Sequence, residues 1–233
     1  MRVGVIQFPG SNCDHDALHA WGTVTGQTAR LIWHKDSDLG DVDLVFLPGG
    51  FSYGDYLRCG AIAKYSPVMK EVVRFASKGG LVAGVCNGFQ ILVESGLLPG
   101  VLLPNTSLKF ICRHVNLKVS NANTRFSSSY QPGQIIRVPI AHGEGNYFAQ
   151  DDVLAGLQDN RQIVFQYCDA DGSINEEGNP NGSALNIAGI VNREGNVFGM
   201  MPHPERSVET NVGGTDGLGF LQSIIRSLET RPV

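Results

Sequence analysis

The chain has 233 residues, 42% hydrophobic and 17% charged, with a formal net charge of −4. That balance excludes a disordered chain, and no apolar run approaches the ~20 residues that span a bilayer. With no cluster of lysine and arginine, nucleic acid is excluded as the main partner, so a small-molecule substrate is expected.

Residues 2–8 alternate and end at Pro9-Gly10, which reads as a buried first strand rather than a signal peptide, so a cytoplasmic protein is expected. After Ser11-Asn12, a cap signal, Ala17, Leu18, Trp21 and Val24 give a helical stripe. Strands follow over 29–34, 42–47 and 81–85, with a second helical stripe at Val68, Val72, Val73, Phe75 and Ala76 between the last two. This is the rhythm of a parallel sheet covered on both faces. Beyond residue 100 the strand candidates lie closer together, at 114–119, 134–140, 163–167, 187–191 and 197–201, with few helices between them. The polar stretch 169–183 reads as an exposed loop or the end of a long hairpin, and a helix over 218–228 closes the domain. The expectation is one α/β domain over 1–233, an open, mostly parallel, flavodoxin-like sheet with helices on both faces and a mixed or antiparallel C-terminal part.

Chemistry concentrates in three places. Residues 81–90 are an apolar strand, then G-x-C-x-G around Cys86, then a helical run. A sharp strand-to-helix turn of this form lifts a nucleophile above the sheet, needs small residues at Gly84 and Gly88, and places helix amides where an oxyanion develops. The helix start favours the thiolate. The bland reading is a small buried cysteine. A thiol nucleophile needs an oriented base, and Pro202-His203-Pro204-Glu205 supplies both groups. Two prolines hold the backbone extended, so His203 and Glu205 project to one side, with His203 facing outward from a strand end. The alternative there is a solvated turn. Pro48-Gly49-Gly50-Phe51 leaves the third strand as a glycine-rich loop, read as an oxyanion hole or as a plain tight turn; no G-K-[S/T] follows to make a phosphate cradle.

Other signals are weaker. The stretch 140–147, with His142 and Glu144, is polar enough to line a pocket, and Arg113-His114 heads a strand that contains Asn116. The spacing of His114, His142 and Glu144 matches no familiar metal site, so no metal is expected. The five cysteines are odd in number and lack a C-x-x-C pair, so reduced thiols are expected.

Taken together and in order, Pro48-Gly49-Gly50, the 84–90 elbow and Pro202-His203-Pro204-Glu205 resemble the triad-type glutamine amidotransferases. Residues 49–55, 86–90, 141–145 and 202–206 narrow the resemblance to the glutaminase subunits of phosphoribosylformylglycinamidine synthase. The resemblance implies a Cys86 nucleophile, His203 base and Glu205 orienting acid. Backbone amides near Gly50, Phe51 and Asn87 would stabilise the oxyanion, and Gln90 would bind the polar end of glutamine. It also implies a large synthetase subunit (PurL) and a small bridging subunit (PurS) as partners, with ATP and Mg²⁺ expected on the synthetase and no cofactor in this chain. Ammonia must then pass enclosed to the partner, which points to an interface beside the catalytic mouth, at the loop after Gly50 and around His142. The rival readings are a related cysteine hydrolase acting on γ-glutamyl or peptide substrates, and a non-enzymatic binding module.

Overall fold

Four apolar runs near the N-terminus become β1 (Arg2–Gln7), β2 (Thr28–Trp33), β3 (Leu44–Leu47) and β4 (Leu81–Val85) in a computed structural model that describes residues 1–229. Two helices accompany them, α1 (Asp14–Leu18) and α2 (Pro67–Ser77), and α3 (Asn87–Glu94) leaves β4 directly. The second half adds β5 (Val101–Leu103), β6 (Ile111–Val119), β7 (Ile135–His142), β8 (Asn146–Phe148), α4 (Asp151–Asp159), β9 (Ile163–Cys168), β10 (Ile187–Val191), β11 (Val197–Met200) and α5 (Leu218–Glu229).

Nine strands form one sheet in the order β2-β1-β3-β4-β11-β10-β9-β6-β7, and β5 pairs with β8 apart from it. The β2-β1-β3-β4-β11 half is parallel and has the flavodoxin-like order. From β11 onward every pairing is antiparallel. Every residue of β3, β4, β10 and β11 is buried. Continuous apolar strands of this kind are what a sheet covered on both faces requires. The consequence for function is topological. Parallel strands deliver their C-terminal ends to one edge, so the segments after β3, β4 and β11 emerge side by side.

Several local expectations differ from the structure. Helix α1 begins after Cys13 with no side-chain cap, because the Ser11 hydroxyl instead accepts from the Phe8 amide at 3.1 Å. It continues as a π-helix over His19–Val24. Helix α4 was not anticipated, since only Leu157 of its nine residues is buried and the apolar stripe is correspondingly short. The segment 169–183 is not exposed throughout. Asn181 and Ser183 are buried, which their hydrogen bonds permit. Among the described residues no helix is long and apolar enough to cross a membrane.

Candidate active site

Cys86 stands between β4 and α3 with φ 50° and ψ −110°, a conformation that side-chain-bearing residues rarely adopt. The neighbours leave no alternative path. A methyl group on Gly88 would overlap the Leu47 carbonyl oxygen and lie 2.7 Å from its carbon, while one on Gly84 would lie 2.6 Å from Leu92 Cδ1. Helix α3 therefore packs directly on β3 and β4, as the elbow reading requires. The Cys86 amide donates to the Met200 carbonyl at 2.8 Å, which ties the turn to β11.

His203 follows β11 and donates its amide to the Pro139 carbonyl at 2.9 Å. Its Nδ1 lies 2.6 Å from Glu205 Oε1, with both side chains 1% exposed. Two expectations are corrected here. His203 is buried, not outward-facing, and Pro204–Arg206 is a 3₁₀ turn rather than extended chain. Proline's fixed φ suits the first position of such a turn, and the turn still brings the imidazole and carboxylate together. Gly49, after β3, completes the convergence. A methyl there would sit 2.6 Å from His203 Cε1, 3.0 Å from Cys13 Sγ and 3.3 Å from Cys86 Cβ, so only glycine lets these side chains meet. The Cys86 thiol points at the Ala141 carbonyl, 3.6 Å away, and His203 Nε2 is buried with no hydrogen-bond partner among the described residues.

Burial, the largest influence on His203, disfavours its charged form, yet the summed attraction of Glu205 and Cys86 outweighs it and raises the pKa to about 10. The folded value lies above the ordinary ~6.5. The stabilisation from the His203–Glu205 pair is therefore complete below that ordinary value and is lost as pH rises through about 10. Accordingly, the stability difference between wild type and Glu205→Gln, measured by urea denaturation, should be largest near neutrality and shrink toward the alkaline end. A difference independent of pH would contradict this assignment.

The loop after β3 differs from expectation at one atom. The Phe51 amide donates to the Gly10 carbonyl at 2.9 Å and is not free to face an oxyanion in this conformation. The Asn87 amide lies in the first turn of α3, where no intrahelical acceptor exists. Asn87 and Gln90 form a relay: Asn87 Oδ1 accepts from the Ser52 amide at 3.2 Å, Asn87 Nδ2 donates to Gln90 Oε1 at 3.0 Å, and Gln90 Nε2 donates to the Glu144 carbonyl at 2.7 Å. Both ends of the Gln90 amide are thus occupied.

A cavity of about 240 Å³ opens over Cys86, with Gly50, Phe51, Gln90, His142 and Glu144 among its lining. His114, Arg113 and Asn116 do not line it; His114 packs instead near Gly213. Among the described residues, one group of candidate metal ligands falls within 4.8 Å, namely Cys13, His203 and Glu205. Its members already engage each other and the Arg206 guanidinium, whose Nη2 donates to Cys13 Sγ at 3.0 Å, and that positive charge disfavours a cation.

A family model for the CobB/CobQ-like glutamine amidotransferase domain matches residues 1–213. The chain belongs to this family. Relatives named phosphoribosylformylglycinamidine synthase subunit PurQ include one from Salinibacter ruber, 57% identical across 96% of this chain and 95% of the relative. Another, from Moorella thermoacetica, is 56% identical across 97% and 95%. A chain in a solved structure titled PurLQS from Thermotoga maritima is 46% identical and superposes with a TM-score of 0.86, covering 97% of this chain and 98% of that one. A second solved structure, a glutamine amidotransferase from the same organism, is 18% identical with a TM-score of 0.57 over 98% of this chain and 84% of its own, a likeness of fold alone.

The residues that hold this amidotransferase site together were mostly invisible in the sequence. Asn105 is fully buried. Its Oδ1 accepts from His142 Nδ1 at 3.0 Å and the Gly145 amide at 3.1 Å, while its Nδ2 donates to the carbonyls of Lys109 and His142 at 2.8 and 2.9 Å. Asn181 adds a bond to the Gly145 carbonyl at 2.8 Å. No local pattern marks either asparagine, because the bonds to His142 and Gly145 that anchor the segment are distant in sequence. Asn105→Ala leaves three buried polar groups and the partly buried Lys109 carbonyl unpaired and should destabilise the chain by about 3 kcal/mol or more, read as a lower urea midpoint at unchanged slope. A loss below ~1 kcal/mol would contradict the role of Asn105 as the anchor of the 141–145 segment.

Proposed function

We propose that the chain, acting as one domain over residues 1–233 in the cytoplasm, is the glutaminase subunit of phosphoribosylformylglycinamidine synthase. Cys86 is the nucleophile, His203 the acid and base, and Glu205 the group that orients it. The observation that carries this reading is the convergence of Cys86 and His203 on Gly49, with Glu205 held 2.6 Å from the imidazole. The thiol turns from the Ala141 carbonyl toward His203, its proton passes to His203 Nε2, and the thiolate attacks the side-chain amide carbon of glutamine. Negative charge collects on the amide oxygen and is stabilised by the Asn87 and Gly50 amides. The Phe51 amide joins them only if it releases Gly10. His203 then gives a proton to the leaving nitrogen, the C–N bond breaks, and ammonia departs from a γ-glutamyl thioester. His203, now neutral, takes a proton from water as it attacks the thioester carbon; the C–S bond then breaks, glutamate leaves, and the proton returns from His203 to the Cys86 sulfur. Glu205 keeps the proton-bearing Nδ1 facing it, so that Nε2 performs both transfers.

The same reading assigns PurL-type and PurS-type subunits as partners, with ATP and Mg²⁺ on the synthetase. Phe51 and Phe110, with ring centroids 6.2 Å apart, stand at the cavity mouth. Tyr56, Leu57 and Leu108 nearby are 73%, 92% and 83% exposed. An apolar rim of this kind suits a protein cover that confines neutral ammonia. Glutamate release should rise severalfold or more when the synthetase and bridging subunits are added to the chain. Equal turnover alone and assembled would count against the partner assignment, and no glutamate in any combination would remove the glutaminase reading.

A further inference from the structure

Glu205 is a buried carboxylate with one hydrogen bond. Its Oε1 meets His203 Nδ1 at 2.6 Å, and its Oε2 is buried with no hydrogen-bond partner among the described residues. The pair is balanced while His203 carries a positive charge. It is unbalanced in the steps when His203 is neutral, because a buried charge without a counter-ion is costly. That cost favours retention of the proton by the imidazole and opposes every step in which it gives one up. A cation that never loses its own proton would remove the bias, and one stands next in the chain.

Arg206 follows Glu205 in the same 3₁₀ turn, and its guanidinium is tied to the start of α1. Nε donates to Asp16 Oδ2 at 2.8 Å and Nη2 donates to Cys13 Sγ at 3.0 Å. The Cys13 sulfur lies in turn within 4.8 Å of a Glu205 carboxylate oxygen and a His203 ring nitrogen. Cys13 is placed there by its own amide, which donates to the Gly49 carbonyl at 3.3 Å, and its thiol donates to Asn12 Oδ1 at 3.3 Å. The sulfur is thus an acceptor between guanidinium and carboxylate. Burial works against the Arg206 charge, but Cys13, Asp16 and Glu205 together outweigh it. The Arg206 and Asp16 side chains are 31% and 42% exposed, where an ion pair contributes little to stability. What the pair fixes is the position of the charge.

The other titratable groups around the turn do not supply a cation. Cys86 and Asp14 are neutral or negative, and Asp14 already accepts from Gln7 Nε2 at 2.6 Å. His142, on β7, is held neutral by burial and by His203, its pKa lowered to about 4. Helix α5 abuts the turn through Gly217, just before it, and carries Arg226 and Glu229 only toward its far end. Asp216 accepts from the Arg137 amide at 2.7 Å.

We infer that Arg206, set in place by Asp16 and Cys13, is a positioning residue for the triad, its guanidinium offsetting the Glu205 charge whenever His203 is neutral. The inference rests on the glutaminase reading and adds to it a fourth group, which acts through Glu205 and does not line the cavity over Cys86.

The test compares wild type, Arg206→Gln and Arg206→Lys, each assembled with the synthetase and bridging subunits, by the pH dependence of glutamate release. Arg206→Gln should lower kcat about tenfold or more with KM changed less than about threefold. Both limbs of its profile should move to higher pH by about 0.5 to 1 unit, because loss of a fixed positive charge strengthens proton binding by the groups near it. Arg206→Lys keeps the charge without the two-armed fork, so its limbs should lie at the wild-type pH while kcat recovers only in part. The pH dependence of Cys86 alkylation by iodoacetamide reads the same titration without glutamine, and its midpoint should move upward in Arg206→Gln and not in Arg206→Lys. Limbs and alkylation midpoint unmoved in Arg206→Gln, or moved equally in Arg206→Lys, would mean a structural role and would overturn the inference, as would a kcat within threefold of wild type in Arg206→Gln. Failure of the glutaminase reading is separable: the wild type would release no glutamate, and the alkylation midpoints would still decide the inference.

Discussion

Cys86→Ala is expected to lower glutamine-dependent glutamate release by about 10⁴-fold or more, because removal of a covalent nucleophile leaves only the oxyanion and binding contributions. No second thiol is placed to substitute. Cys13 lies close to His203 and Glu205, but burial, with the Glu205 charge in addition, pushes its pKa up, and its sulfur already accepts from Arg206. The strained backbone of Cys86 makes a companion result expected. Cys86→Gly should be equally inactive yet more stable than Cys86→Ala by about 1 kcal/mol, because glycine alone relaxes at φ 50°. Glutamate release and urea denaturation on the same two proteins measure both effects. Residual activity within tenfold of wild type would exclude Cys86 as the nucleophile.

Gly88→Ala should destabilise the chain by about 3 kcal/mol or more. Intrinsic helix propensity works in the opposite direction and would favour alanine in α3 by ~1 kcal/mol. The packing term decides the sign. The added carbon would overlap the Leu47 carbonyl oxygen and come within 2.7 Å of Leu47 C and 2.9 Å of its Cβ. Those atoms belong to a wholly buried central strand, hydrogen-bonded to β1 and β4 on either side, so they cannot move aside cheaply. The expected outcome is a sharply lowered denaturation midpoint or failure to accumulate folded protein. A gain in stability would show that α3 does not pack on β3 as described.

What was legible in the sequence follows from how local the signal is. The elbow announces itself because its constraint is covalent and adjacent: Gly84, Cys86 and Gly88 all serve one turn. The strands that form the parallel half are apolar runs bounded by glycine or proline, and their order follows from ordinary crossover rules. His203 and Glu205 were readable as a pair because they are two residues apart, although the 3₁₀ turn and the burial of His203 were not. The polar scaffold was hidden. Asn105 and Asn181 reach partners some 36 to 40 residues away, as at Gly145, and nothing near them in sequence records that distance. The Phe51 amide illustrates the same limit. A glycine-rich loop directs amides somewhere, but the Gly10 carbonyl that captures this one comes from the turn after β1. Strands of three residues such as β5 and β8 are too short for alternation to show.

The most direct test of the account is to quench the wild-type protein during glutamine turnover and locate the covalent intermediate by peptide mass spectrometry. The account predicts a γ-glutamyl adduct on the peptide containing Cys86 and on no other cysteine. An adduct on Cys13 or Cys59, or continued glutamate release with Cys86 unmodified throughout, would contradict it.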